Sequence, residues 1–62
     1  MSAPEVVLVI EDDPVLGPAL VQRLRLEGYR PRLAANGAEA LREAGTLRPD
    51  AVISDIRLPD MS

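Results

Sequence analysis

One short segment near the start of the chain constrains the fold more than any other. Residues Val6–Ile10 are all apolar, most of them are β-branched, and three acids follow directly. A run of this length without polar alternation predicts a strand that is buried on both faces, as in a parallel sheet. The alternative is one turn of a buried helix, which β-branched side chains disfavour.

The segment after this strand has the pattern of an amphipathic helix. Asp13 is a good N-cap and Pro14 suits the first helical position. Apolar residues then recur on one face, and Gly28 predicts the helix end. These apolar residues are Leu16, Leu20, Val21 and Leu24. Pro18 falls within the first turns, so we expect the helix either to kink there or to begin at Pro18.

Two further strands and a second helix follow. Tyr29–Ala34 contains Pro31, which cannot donate to a ladder, so this strand is expected at a sheet edge. A capping-box pattern, in which Asn36 caps and Glu39 reaches back, starts the second helix. We expect Gly45 to end that helix, and a third buried strand to run from Ala51 through Ser54 into Asp55. The apolar stripe predicted for the second helix is Ala40, Leu41 and Ala44.

The predicted order β-α-β-α-β indicates an α/β fold with a doubly wound parallel sheet. Right-handed crossovers and the edge position of Pro31 favour the strand order 2-1-3, with the two helices on opposite faces. Ligands in such sheets bind beyond the carboxyl ends of the strands, where the strand order reverses. We therefore expect a site between the first and third strands.

Composition excludes several classes of function. The 62 residues include no Cys and no His, and all seven bases are Arg, so thiol, imidazole and lysine chemistry are excluded. The longest apolar run is far shorter than the ~20 residues that span a bilayer, and no targeting segment is recognisable. With a net charge of −3 and Tyr29 as the single aromatic residue, nucleic-acid binding by this segment is not expected. A soluble cytoplasmic protein is the expectation.

Acidic residues follow the first and third strands at the expected site. Glu11, Asp12 and Asp13 come after the first strand, and Asp55 ends the third. Clustered carboxylates repel one another unless a cation is bound or one of them is protonated. Oxygen ligands without His or Cys favour Mg²⁺. The alternative is that these acids are solvated, or are stabilised by the dipole of the following helix.

The whole set of motifs resembles the receiver domain of bacterial response regulators. The resemblance rests on three stretches with the correct spacing: the acids after the first strand, Asn36–Leu41, and Pro49–Met61 around Asp55. It implies a flavodoxin-like sheet and a sensor histidine kinase as phosphodonor. It also implies that the chain is a phosphoacceptor and not a turnover enzyme.

The resemblance assigns roles to single residues. Asp55 matches the phosphoacceptor, a carboxylate nucleophile that forms an acyl phosphate. Asp12 matches the direct Mg²⁺ ligand and Glu11 its acidic companion, and Asp55 is expected to bind the metal as well. Arg57 matches the position whose main-chain carbonyl binds the metal, and Pro59 the proline that shapes the loop. Asp13 falls on a variable position.

A family receiver has five strands, whereas residues 1–62 correspond only to its N-terminal part and end after the third strand and its loop. The fourth-strand Ser/Thr and the fifth-strand Lys are absent, so we expect impaired phosphotransfer. A second hypothesis is a self-associating half-domain, a homo-oligomer formed through the exposed edge of Ala51–Ile53. An Asp-x-Asp phosphatase is disfavoured because Asp55-Ile56-Arg57 lacks the second Asp. DNA binding would belong to a separate output domain, by analogy alone.

Overall fold

The central strand of the sheet is the apolar run near the start of the chain. The computed structural model describes residues 5–54, and its order is β1 (Val6–Ile10), α1 (Leu16–Leu26), β2 (Arg30–Ala34), α2 (Gly37–Leu47) and β3 (Ala51–Ser54). All strand pairs are parallel, and the sheet order is β2-β1-β3. The predicted α/β fold and its 2-1-3 order are confirmed as the β-α-β-α-β half of a flavodoxin-like sheet.

Each helix packs on its own face of the sheet. On one face, Leu8 and Ala34 form a buried cluster with Ala40 of α2. Successive strand residues point to opposite faces, so Leu33 points to the other one. There α1 approaches so closely that a Cβ on Gly17 would lie 3.2 Å from the methyl carbons of Leu33. The expected placement of the helices on opposite faces is therefore confirmed.

Pro31 lies in β2 without disturbing the ladder to β1. The Arg30 amide donates to the Glu5 carbonyl at 2.8 Å, and the Ala34 carbonyl accepts from the Glu11 amide at 2.9 Å. Because ladder residues alternate in a parallel strand, residues 30, 32 and 34 bond to β1, and Pro31 and Leu33 direct their backbone groups outward. The missing amide of Pro31 is therefore at the open edge, as predicted.

Regular helix α1 begins at Leu16, so the predicted starts at Pro14 and at Pro18 are both wrong. The Gly17 amide does donate to the Asp13 carbonyl at 3.0 Å, and the Ala19 amide to the Val15 carbonyl at 3.2 Å. Pro18 has no N–H for the intervening carbonyl of Pro14, so the unbroken series of bonds starts only at Val15. Pro18 otherwise falls among the first amides of the helix, which need no intrahelical partner.

The end of α1 confirms the role predicted for Gly28. Its φ is 96°, a left-handed conformation that glycine adopts without strain. The Tyr29 amide donates to the Leu24 carbonyl and the Gly28 amide to the Arg25 carbonyl, both at 3.0 Å. These two bonds form a Schellman motif, which satisfies carbonyls at the helix end.

Helix α2 begins as predicted but ends later. Asn36 Oδ1 accepts from the Glu39 amide at 2.9 Å, which is half of the expected capping box; no bond returns from the Glu39 carboxylate. Gly45 lies inside the helix, and Arg48 ends it with a left-handed φ of 51°. Leu41 was wrongly included in the buried stripe: it is 77% exposed, because Ala40 and Ala44 define the contact face.

Strand β3 forms where predicted, but its side chains are exposed and not buried. Val52 and Ile53 are 54% and 40% exposed. The physical reason is that β3 contacts β1 alone among residues 5–54, since α1 and α2 both cover β1 and β2. In this same stretch of chain, no helix is long and apolar enough to cross a membrane.

Candidate functional site

The carboxyl end of β1 places Glu11 at the edge of the sheet where the site is expected. Its amide continues the ladder to β2 by donating to the Ala34 carbonyl, so its backbone is fixed by the sheet. The residue is buried, with 7% exposure. Its Oε2 accepts from the Asp13 amide at 3.1 Å, which holds the carboxylate against the turn that leads into α1.

The second oxygen of this carboxylate has no hydrogen-bond partner in the part of the chain that the structure describes. Glu11 Oε1 is buried and accepts no hydrogen bond from any residue between 5 and 54. An unsatisfied buried polar atom costs about 1–3 kcal/mol, and an unpaired buried charge costs more. A hard cation would satisfy this oxygen, so the residue fits the Mg²⁺ role that the sequence predicts.

The next two acids are in different surroundings. The Asp12 side chain is exposed, and it is available to a ligand at the strand end. Asp13 is half-buried, and its Oδ1 accepts from the Val15 amide at 2.7 Å and from the Leu16 amide at 2.9 Å. This carboxylate therefore satisfies free amides at the start of α1, which is the capping role predicted for it, although Val15 occupies the formal N-cap position.

The third strand brings the chain back to the same edge. Ser54, the last residue of β3, pairs with Ile10, which directly precedes Glu11. Asp55, Arg57 and Pro59 lie outside the described residues, so their predicted roles stay predictions. Among residues 5–54, no group of three acidic side chains could hold a metal ion.

Sequence reasoning missed the contribution of Gly17 to this site. The residue is buried in α1, and a Cβ built on it would lie 3.5 Å from the Glu11 carbonyl oxygen. A small residue in the first turn lets the helix start close to the strand end that carries the acids. The available signal was a glycine at a helical position, where glycine is intrinsically unfavourable and therefore suggests a packing requirement.

Comparisons with known proteins agree with this geometry. Residues 7–62 match the response regulator receiver domain family. The chain is 44% identical over 59 residues to the probable transcriptional regulatory protein TcrX of Mycobacterium tuberculosis, covering 95% of this chain and 25% of that protein. It is 50% identical over 56 residues to the transcriptional regulatory protein KdpE of the same species, covering 90% of this chain and 25% of KdpE.

The chain thus spans about a quarter of the length of the curated relatives it matches. No solved structure matches it significantly. The family match covers nearly the whole sequence and coincides with the predicted 2-1-3 sheet and its acidic strand end. On these grounds, the chain belongs to the response regulator receiver domain family.

Proposed function

We propose that this chain is the N-terminal part of a phosphoacceptor domain in two-component signal transduction. Asp55 receives a phosphoryl group from a sensor histidine kinase. Mg²⁺ is held by the carboxylates of Glu11, Asp12 and Asp55 and by the main-chain carbonyl of Arg57. The observation that carries the proposal is the buried Oε1 of Glu11 at the carboxyl end of the central strand, which has no hydrogen-bond partner among residues 5–54, in a chain of the receiver family.

The reaction is a transfer between two nucleophiles. A carboxylate oxygen of Asp55 forms the new O–P bond, the P–N bond of the kinase phosphohistidine breaks, and the departing imidazole takes up a proton. When bound, Mg²⁺ supplies positive charge that offsets the charge of the carboxylates and the phosphoryl group. The role of Glu11 is to hold a fixed carboxylate at the strand end, because its backbone and its Oε2 are both hydrogen-bonded.

The proposal extends to setting and output. Because the phosphohistidine of a kinase is made from ATP, the reaction places this chain in the cytoplasm. The relatives named above are transcriptional regulators, so we propose a transcriptional output that acts through a separate DNA-binding domain. This segment itself, with a net charge of −3, does not bind DNA in the proposal.

Small-molecule phosphorylation tests the nucleophile. Incubation with acetyl phosphate and MgCl₂, followed by mass spectrometry of peptides, is expected to find one phosphoryl group on Asp55. Asp55→Asn removes the adduct and the matched change Asp60→Asn retains it. Because the sequence contains no Lys to pair with the phosphoryl group, we expect slower reaction than in a five-stranded receiver. An adduct that survives Asp55→Asn, or no adduct on the wild-type chain, contradicts the proposal.

A second candidate function is self-association through β3, favoured by the contrast between the two sheet edges. At the β2 edge, Pro31 removes an outward donor, whereas residues 51–54 contain neither proline nor charge. Leu8 and Ile10 bond to β3, because the alternate residues of β1 bond to β2. Leu8 pairs with Val52, so it bonds to the residues on either side, and Val52 directs its backbone groups outward. We propose that this edge pairs with the same edge of a second copy in a symmetric dimer.

Light scattering over a range of concentrations tests this second candidate. Val52→Pro removes an outward amide without removing a bond of the ladder to β1, so it is expected to give a folded monomer where the wild type is a dimer. Leu41→Lys is the control, because it changes another exposed apolar residue, on α2, and leaves β3 intact. A wild-type monomer at every concentration, or a dimer that persists in Val52→Pro, excludes pairing through this edge.

A further inference from the structure

A groove of about 750 Å³ runs between α1 and the outer edge of β2. Its apolar part is formed by Val21 on the helix and by Pro31 and Leu33 on the strand. The polar side chains of Gln22 and Arg25 line the helical side. None of the acids that follow β1 lines this α1–β2 groove, so it is a surface separate from the candidate phosphoacceptor site.

The groove lies in the most basic part of the sequence. Residues 23–32 contain four Arg and one acid, Glu27, although the whole chain carries a net charge of −3. Arg23 pairs with Glu27 at 3.3 Å, and Arg32 lies 3.8 Å from Glu43. Arg25 forms no ion pair with any residue in the 5–54 range, and it lies at the groove. A negatively charged partner therefore matches this surface.

The backbone of β2 indicates whether a strand or a helix of the partner fits this groove. An added strand needs alternating outward donors, and Pro31, which lines the groove, provides none. A helix needs no such donors, because it satisfies its own backbone bonds. The groove also offers apolar contact, including Leu26, which is 79% exposed. These features favour a helix with one apolar face.

We propose that the α1–β2 groove docks an acidic amphipathic helix of a partner protein. The apolar face of that helix packs against Val21, Leu26 and Leu33, and an acidic side chain reaches Arg25 at the rim. Recognition then combines apolar burial with charge pairing, as in other helix-in-groove complexes.

Two synthetic peptides and the complete 62-residue chain test the proposal. One peptide is a helix with Leu on one face and Glu on the other; the second has Lys in place of every Glu. We expect the acidic peptide to bind at least tenfold more tightly at low salt, and to shift the backbone NMR signals of α1 and β2. Raising the salt concentration weakens binding severalfold, because the charges at the rim are exposed.

Matched variants locate the binding surface. Arg25→Glu and Leu26→Ser are each expected to weaken binding of the acidic peptide at least fivefold. Arg42→Glu makes the same charge change on α2 and leaves binding unchanged. Equal binding of the two peptides, NMR shifts confined to α2 or β3, or equal effects of Arg25→Glu and Arg42→Glu would overturn the proposal. Tighter binding of an extended acidic peptide would also overturn it.

Discussion

Two glycines show how differently one residue type acts in this chain. Gly28 has a φ of 96° after α1, whereas Gly45 lies inside α2 and has open space where a Cβ would be. An L-residue is strained at the first position, and alanine is the better helix former at the second. The sequence predicted a helix end at both, and only the first prediction is confirmed.

The same substitution should therefore have opposite effects at these two positions. Gly28→Ala is expected to lower the free energy of unfolding by about 1 kcal/mol, because a Cβ disfavours the left-handed backbone. Gly45→Ala is expected to raise it by about 0.5–1 kcal/mol. Urea denaturation followed by circular dichroism measures both changes. Midpoints that move in the same direction would contradict this account of the two backbone conformations.

Among the helices and strands, the sequence predicted the strands most accurately and the ends of the helices least accurately. Val6–Ile10 is recognisable because its apolar residues form an unbroken run. The start of α1 depends on Pro18, which has no N–H to donate to the Pro14 carbonyl. The apolar pattern of the sequence does not show the effect of this missing hydrogen bond. The end of α2 depends on packing: Leu47 is half-buried, so the helix continues through Gly45.

The side-chain cap of α2 is expected to stabilise the protein, and substitutions at Asn36 test this. Asn36→Ala removes the acceptor of the Glu39 amide and is expected to lower the free energy of unfolding by about 1 kcal/mol. Asn36→Asp keeps an acceptor at this position and is the matched control, expected to stay within about 0.5 kcal/mol of the wild type. Thermal denaturation of the three proteins tests this. Equal destabilisation by both substitutions would show that the side-chain cap does not stabilise the helix.

For the whole molecule, chain topology was more predictable than burial. The 2-1-3 order follows from right-handed crossovers and the edge position of Pro31, both readable from the sequence. The exposure of β3 was not predicted. Its apolar composition suggests burial, whereas both helices cover β1 and β2 and leave β3 uncovered in the described structure. The burial of Glu11 depends on how closely α1 approaches the strand end, which only the packed structure reveals.

The spatial separation of charge is also a property of the whole molecule. Helix α1 runs back from the carboxyl ends of the strands to their amino ends, as a right-handed crossover between parallel strands requires. Acids therefore gather where α1 begins, and Arg23 and Arg25 lie in its last turn. The two proposed interactions match this separation of charge. The acids at one end bind a cation together with phosphate, and the basic end of α1 attracts an acidic helix.

In the proposed function, Glu11 and Asp12 hold the Mg²⁺ on which phosphorylation of Asp55 depends. The most direct measurement is the rate of Asp55 phosphorylation by acetyl phosphate as a function of Mg²⁺ concentration. The account predicts a saturable Mg²⁺ dependence, a rate at least tenfold lower in Glu11→Gln and in Asp12→Asn, and an unchanged rate in the control Glu39→Gln. A rate that is independent of Mg²⁺, or wild-type rates in both of the first two variants, would contradict it.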